Sequence, residues 1–233
     1  MRVTIFGASG LLGKALMHEW SGDAVTGLSS RDTDIRDARR LQQVVQETRP
    51  EWIVLAAAYT DVDGCESNPD LAFAVNRDGA VNVAIAVRMA GARLVFLSSD
   101  YVFDGKKTTP YETGDARNPQ TVYGRTKAEA EIKLLELMPE CCIVRTSWLF
   151  GTGGKCFPDT ILKLAASRPA IDVVNDQEHR RNRKNGRPRR LKKCGTGNRG
   201  HPVKPVAQES LSLGILKLGL HHSDASYSGS FGT

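Results

Sequence analysis

Short apolar runs rich in β-branched residues alternate with segments of helical spacing along most of this chain of 233 residues. The runs are Val3–Phe6, Ala24–Leu28, Trp52–Ala58, Leu94–Leu97, Cys142–Arg145 and Ile171–Val174. Between them lie Leu11–Trp20, Leu41–Thr48, Leu71–Ala90 and Ala128–Leu137, whose apolar residues recur at the period of an α-helix. Strands joined through helices pair in parallel, and a parallel sheet needs helices over both faces. The pattern therefore predicts an α/β fold, a doubly wound parallel sheet. Pro50 and Gly91 fall where the second and third helical segments should stop. No internal repeat or low-complexity stretch precedes Gln177.

Charge is unevenly spread along the chain. The net charge is +6, but residues 1–177 carry 20 Lys/Arg against 23 Asp/Glu while residues 178–233 carry 12 against 3. The body is a mildly acidic globular domain, and the basic character belongs to its last quarter. No apolar run approaches the ~20 residues of a membrane span, which excludes a helical membrane protein. Met1-Arg2-Val3-Thr4-Ile5 already reads as a strand, leaving no room for a signal peptide. Cys65, Cys141, Cys142, Cys156 and Cys194 are an odd set with no metal-binding spacing. Reduced thiols in a cytoplasm are expected, with no metal site.

The first strand runs directly into Gly7-Ala8-Ser9-Gly10-Leu11-Leu12-Gly13, which opens the first helical segment. That context suits a dinucleotide-binding (Rossmann) turn. Gly7 permits the tight turn, Gly10 lets backbone approach a pyrophosphate, and Gly13 lets helix pack on strand, with free N–H groups at the helix start for the anion. Spaced glycines also occur in plain strand-to-helix turns. After the second strand comes Gly27-Leu28-Ser29-Ser30-Arg31. The Ser30 hydroxyl and Arg31 guanidinium suit a 2′-phosphate better than a 2′-hydroxyl, which points to NADPH, with NADH as the alternative. An exposed loop arginine is the other reading of Arg31, since Asp32 and Asp34 lie close by.

Tyr123 and Lys127 are four residues apart at the start of a helical segment and so share a face. A phenol of pKa ~10 is a poor acid–base at neutral pH, and moving it about three units takes roughly 4 kcal/mol of support for the phenolate. A Lys127 ammonium below the phenol acts in that direction. Ser99, at the end of a strand, can hydrogen-bond a substrate carbonyl. Tyr-x-x-x-Lys alone often marks a solvated helix face, but here it follows a strand-end serine and a glycine turn in one domain.

These residues resemble the extended short-chain dehydrogenase/reductase family. The resemblance sharpens in Ser98-Ser99-Asp100-Tyr101-Val102-Phe103-Asp104-Gly105, in Asn118-Pro119 through Val122-Tyr123-Gly124-Arg125-Thr126-Lys127, and in Arg145-Thr146-Ser147-Trp148. Ala56–Asp63 and Val174–Gln177 also fit. The branch it points to reduces the 4-keto group of dTDP-linked sugars with NADPH. The resemblance implies Tyr123 as proton donor, Lys127 on the cofactor ribose and Ser99 on the substrate. Gly7, Gly10, Leu11, Leu12 and Gly13 would lie along the pyrophosphate, Ser30 and Arg31 at the 2′-phosphate, and Asp34 and Ile35 near the adenine. Ala56, Ala57, Ala58 and Tyr59 would follow the cofactor. Asp100, Tyr101, Val102, Phe103 and Trp148 would join Ser99 and Tyr123 around a dTDP-linked keto sugar. Asn76 either supports the site through a water or is an ordinary helix polar residue. A homodimer is compatible with the resemblance. The run Ser98–Gly105 is shared with the regulatory beta subunit of methionine adenosyltransferase, so a non-catalytic NADP-binding subunit is the alternative.

Beyond Gln177 the resemblance stops. The family continues into a substrate domain, whereas this chain reads Glu178-His179-Arg180-Arg181-Asn182-Arg183-Lys184-Asn185. Few apolar residues occur before Val203, too few for a core. The expected division is a cofactor domain over 1–177, and over 178–233 a disordered or frameshifted tail in place of the substrate domain. Without interleaved aromatics, the basic run is a weak case for nucleic acid binding.

Overall fold

The computed structural model describes residues 1–154 and 156–168. The strand expected at Ile171–Val174, the Val174–Gln177 motif and the tail expected over 178–233 lie outside them. The described residues fall into two units, Met1–Lys106 with Asp115–Pro169, and a second whose described part is Lys107–Gly114. All the regular elements belong to the first.

Five parallel strands form one sheet: β1 (Arg2–Phe6), β2 (Ala24–Leu28), β3 (Trp52–Leu55), β4 (Arg93–Ser99) and β5 (Cys142–Thr146), in the order β2-β1-β3-β4-β5. The chain steps one way from β1 to β2, then crosses back to β3 and continues outward. Right-handed crossovers therefore put α1 (Leu11–Glu19) on one face and α2 (Ala38–Thr48), α5 (Gly79–Met89) and α6 (Val122–Leu137) on the other. The second face carries the main core, with Phe6, Ile53, Leu55, Leu94 and Phe96 of the sheet against Leu41, Val45, Val83, Val87 and Leu134 of the helices. Val3, Ile5, Val54 and Val95 have the opposite parity and are buried as well, as a sheet covered on both faces requires. Burying one such side chain contributes ~1.5–3 kcal/mol.

Three differences from the sequence reading bear on the site. The strand expected over Trp52–Ala58 ends at Leu55. Ala56 N still donates to Phe6 O at 2.9 Å, but at Tyr59 the backbone N–H and C=O bond to the Asn76 side chain instead of a neighbouring strand. The helix expected over Leu71–Ala90 is α4 (Pro69–Phe73), a π-helical turn (Ala74–Asp78) and α5. The sixth helix starts six residues before Ala128, at Val122. Thr121 Oγ1 accepts from Gly124 N at 3.0 Å there, and Glu66 of α3 (Val62–Ser67) accepts from Val122 N at 2.7 Å. Two acceptors thus satisfy the exposed donors of the first turn. The last helix among the described residues, α7 (Phe157–Ser167), buries none of its residues.

Candidate active site

Each strand's carboxyl end delivers one part of a continuous site. The sheet reverses its winding between β1 and β3, which opens a crevice where ligands of such sheets bind. Gly7 follows β1 with φ +90, a backbone conformation that disfavours any side chain. A Cβ there would stand 2.5 Å from Ala57 N and 2.8 Å from Ala56 C, so the two strand ends approach as closely as glycine allows. A Cβ on Gly13 would overlap Gly7 O. α1 starts with no side-chain cap and no acid in its first turn. The N–H groups of Leu11, Leu12 and Gly13 precede its first i→i−4 bond, from Lys14 N to Gly10 O, and stay available to an anion. The chain just after Trp148 also reaches this corner, where Lys14 Nζ donates to Gly153 O at 2.6 Å.

From the glycine turn a cleft runs past Ser29, Ser30, Asp34 and Ile35 on one side and Ala57, Ala58 and Val75 on the other. Ser29 fixes its wall. Its N–H and hydroxyl donate to Asp32 Oδ2 at 2.8 and 2.6 Å, holding that carboxyl below its usual range. Arg31 is exposed; its N–H donates to Ser29 Oγ, and its side chain is not part of the cleft lining. Arg36, which the sequence reading passed over, does line the cleft and grips Asp34 with Nε and Nη2, at 3.0 and 2.6 Å from Oδ2. Its place two residues after an acid was the only local signal.

The carboxyl end of β4 and the start of α6 carry the other residues of the candidate site. Tyr123 is 9% exposed, in a cluster with Cys65, Ala72 and Val122. Burial pushes its phenol up to about 12, and a hydrogen bond with Ser99 offsets part of that rise. Ser99 Oγ donates to Asp100 Oδ1 at 3.1 Å and accepts from Tyr101 N at 3.3 Å, which orients it. The Tyr101 ring stands edge-on to Tyr123, centroids 5.6 Å apart. Val102 and Phe103 turn inward, Val102 wholly buried, and so anchor the turn while Tyr101 stays open. Trp148, after β5, is exposed and packs edge-on to Phe157 at 5.1 Å.

Lys127 departs from the expected picture. It shares the Tyr123 face of α6, but it is 2% exposed and its Nζ donates to Leu97 O at 2.6 Å, 4.0 Å from the Phe96 ring centroid. Burial pushes its ammonium down to about 7, and Glu131 works against the fall. The lysine is satisfied by a backbone carbonyl, and desolvation rather than the lysine sets the phenol.

Asn76 makes direct hydrogen bonds to backbone and to a side chain. Buried in the π-helical turn, it accepts from Tyr59 N at 2.7 Å and donates to Tyr59 O and Thr126 Oγ1, each at 3.0 Å. Thr126 donates in turn to Tyr123 O at 2.7 Å. The side chain thus clasps the cleft wall to the helix that carries Tyr123. The π-turn that widens the helix at Asn76 is a feature often found at functional sites. Among the described residues no cluster of potential metal ligands occurs, and no helix is long and apolar enough to cross a membrane.

Residues 1–181 match the family model described as RmlD substrate binding domain. A dTDP-4-dehydrorhamnose reductase of Streptomyces griseus is 43% identical over 179 residues, 76% of this chain and 59% of that protein. One from Mycobacterium tuberculosis is 40% identical over 183 residues, 76% of this chain and 60% of that protein. Among solved structures, the Bacillus anthracis dTDP-4-dehydrorhamnose reductase in complex with NADP superposes with a TM-score of 0.73 at 42% identity, covering 76% of this chain and 63% of that one. The chain thus spans about 60% of the length of these curated relatives.

Proposed function

This chain belongs to the RmlD substrate-binding domain family, and from that premise we propose that it carries the cofactor-binding and proton-donating half of a dTDP-4-dehydrorhamnose reductase. In this reading NADPH supplies the hydride for reduction of the 4-keto group of dTDP-4-dehydro-L-rhamnose. The observation that carries the proposal is the Tyr123 phenol, buried and hydrogen-bonded to Ser99 at the carboxyl end of β4, in a sheet whose first strand runs into an uncapped helix N-terminus.

The residues of the cleft fit a dinucleotide. The Gly7–Gly13 turn, with the N–H groups of Leu11 and Leu12, would hold the pyrophosphate. Asp34 and Ile35 would border the adenine, and Ala56, Ala57, Ala58 and Tyr59 the rest of the cofactor. Ser30 and Arg31 are assigned to the 2′-phosphate. Burial keeps the phenol protonated, and the Lys127 ammonium, brought to the cofactor, would lower it toward the range that a proton donor at neutral pH needs. Ser99 would hold that oxygen, beside Asp100, Tyr101 and Trp148, while Val102 and Phe103 fix the turn from beneath. Lys127 would leave Leu97 O for the cofactor ribose. The names of the relatives favour this enzyme reading over a non-catalytic regulatory subunit.

The division at residue 177 belongs to the same proposal: residues 1–177 bind cofactor, and the nucleotide of the substrate is held by the remaining part of the family's length. A chimera in which residues after 177 are replaced by the corresponding part of the Streptomyces griseus relative should oxidise NADPH when given the dTDP-4-keto sugar. A chimera that binds both compounds and turns over neither would sink the assignment.

A further inference from the structure

Glu131 is wholly buried on the same face of α6 as Tyr123 and Lys127, one turn past the lysine. Both of its oxygens are occupied. Arg145 of β5 donates through Nε to Oε1 at 2.9 Å and through Nη2 to Oε2 at 2.6 Å, and Arg117 donates through Nε to Oε2 at 2.5 Å. A buried carboxylate pinned by two guanidinium groups is an expensive way to fill a core, since apolar side chains of the same volume are often as stable. The proton transfer proposed above does not use it.

The buried lysine supplies a reason for its presence. Its ammonium has a carbonyl and an aromatic face as neighbours and no carboxylate within ion-pair distance. The ionisable groups of the elements around α6 face elsewhere. Asp100 and Cys65 stand beside Tyr123, and Glu66 caps the helix start. Arg77 pairs with Asp78 and with Glu129 on another face of α6. Arg117 and Arg145 are spent on Glu131. Of all these charges, only that of Glu131 acts on the lysine. Arg145 also lies 4.9 Å over the Phe103 ring, beneath the turn that carries Ser99 and Tyr101.

We propose that Glu131 is a positioning residue for the Tyr123–Lys127 pair: its carboxylate, fixed by Arg145 and Arg117, sets a negative charge one turn from the buried ammonium of Lys127 and links it through Arg145 to the Ser99–Phe103 turn. Its importance for reduction rests on the reading of Tyr123 and Lys127 given above, but the coupling can be read without turnover. A pair of guanidinium groups makes the carboxylate hard to protonate, so its influence persists across the neutral range.

The test is an NMR pH titration of the full chain containing 13C-labelled lysine, with the Lys127 signal identified by its loss in Lys127→Arg. Glu131→Gln keeps the shape and removes the charge, and should lower the Lys127 midpoint by about one pH unit or more. Glu131→Asp should restore most of the shift. Damage to packing alone would admit water and carry the midpoint upward, toward the ordinary lysine value. If Glu131→Gln does not fold, Glu131→Asp supplies the sign: its shorter carboxylate stands farther from the ammonium and should lower the midpoint part of the way, and a midpoint that stays or rises there overturns the proposal. An unchanged or raised midpoint in Glu131→Gln overturns it as well. Loss of coupling with reduction by Tyr123 intact would reject Glu131 alone, whereas normal turnover in Tyr123→Phe would reject the reading of the pair.

Discussion

The glycine turn and the buried face of α6 meet at one edge of the sheet but are made of different materials. The turn is backbone: a glycine at φ +90, a helix start without a side-chain cap, and three N–H groups left over by helix geometry. The face of α6 is side chain, with a phenol, an ammonium and a carboxylate all buried. A backbone site needs little beyond shape, because peptide dipoles cost nothing extra to keep near water. Ionisable groups taken out of water each need a partner. Lys127 finds Leu97 O, and Glu131 finds Arg117 and Arg145, which lie outside its helix and 14 residues away on either side. Recognition can therefore be local in sequence while chemistry has to be assembled.

The largest expected effect separates the two materials outright. Tyr123→Phe removes one hydroxyl, so in the chimera NADPH should bind as before while reduction falls by the 10²–10⁴-fold typical of losing a general acid. Near-normal turnover would mean that the acid lies elsewhere.

A second prediction uses pH. Burial holds Lys127 down to about 7, well below its unfolded value, so the unfolded chain binds more protons between about pH 7 and 10. The sign is that stability should rise with pH across that window, by on the order of 4 kcal/mol from this group, and be lost again as pH falls through 7. Tyr123 has the opposite sign: its folded value, about 12, is raised, so its contribution is lost only as the medium passes from about pH 10 upward. Denaturant unfolding of the chain and of Lys127→Met, compared at several pH values, should show the slope in the first and its absence in the second. Equal slopes would mean that the lysine is solvated.

Asn76 joins the two regions, and its removal should weaken both. Asn76→Ala leaves the Tyr59 N–H and C=O without their partners, a loss of ~1–3 kcal/mol. A lowered unfolding midpoint together with weaker NADPH binding is expected. Unchanged binding would confine its role to the fold.

The smallest effect is expected at Arg31. Its guanidinium is exposed, so a contact with a 2′-phosphate is screened, and Arg31→Ala should reduce the preference for NADPH over NADH by no more than about tenfold. Equal affinities for the two cofactors in the unmutated chain would remove Arg31 from the site and turn attention to Arg36, which lines the cleft.

What could be read from the sequence follows the same division. The alternation of strands and helices, the glycine turn and the Tyr123/Lys127 spacing are each encoded within a few residues, and the structure contains all three. The early end of β3 was not legible, because it depends on an asparagine 17 residues downstream that takes over the Tyr59 backbone bonds. Nor was the direction of Lys127, since a buried ammonium chooses among carbonyls that only the folded sheet presents. Glu131 had a faint trace, as the third ionisable or phenolic residue at spacing four after Tyr123 and Lys127. Its partner Arg145 was visible only as part of a motif whose pairing is made across the fold.

A calorimetric titration of the chain with NADPH, alongside Gly7→Ala and Tyr123→Phe, tests most directly the claim that backbone holds the cofactor while side chains do the chemistry. A Cβ at residue 7 would stand 2.5 Å from Ala57 N in a positive-φ backbone, so saturable binding should be seen in the unmutated chain, lost in Gly7→Ala and kept in Tyr123→Phe. Binding that survives Gly7→Ala, or that disappears with the Tyr123 hydroxyl, would contradict it.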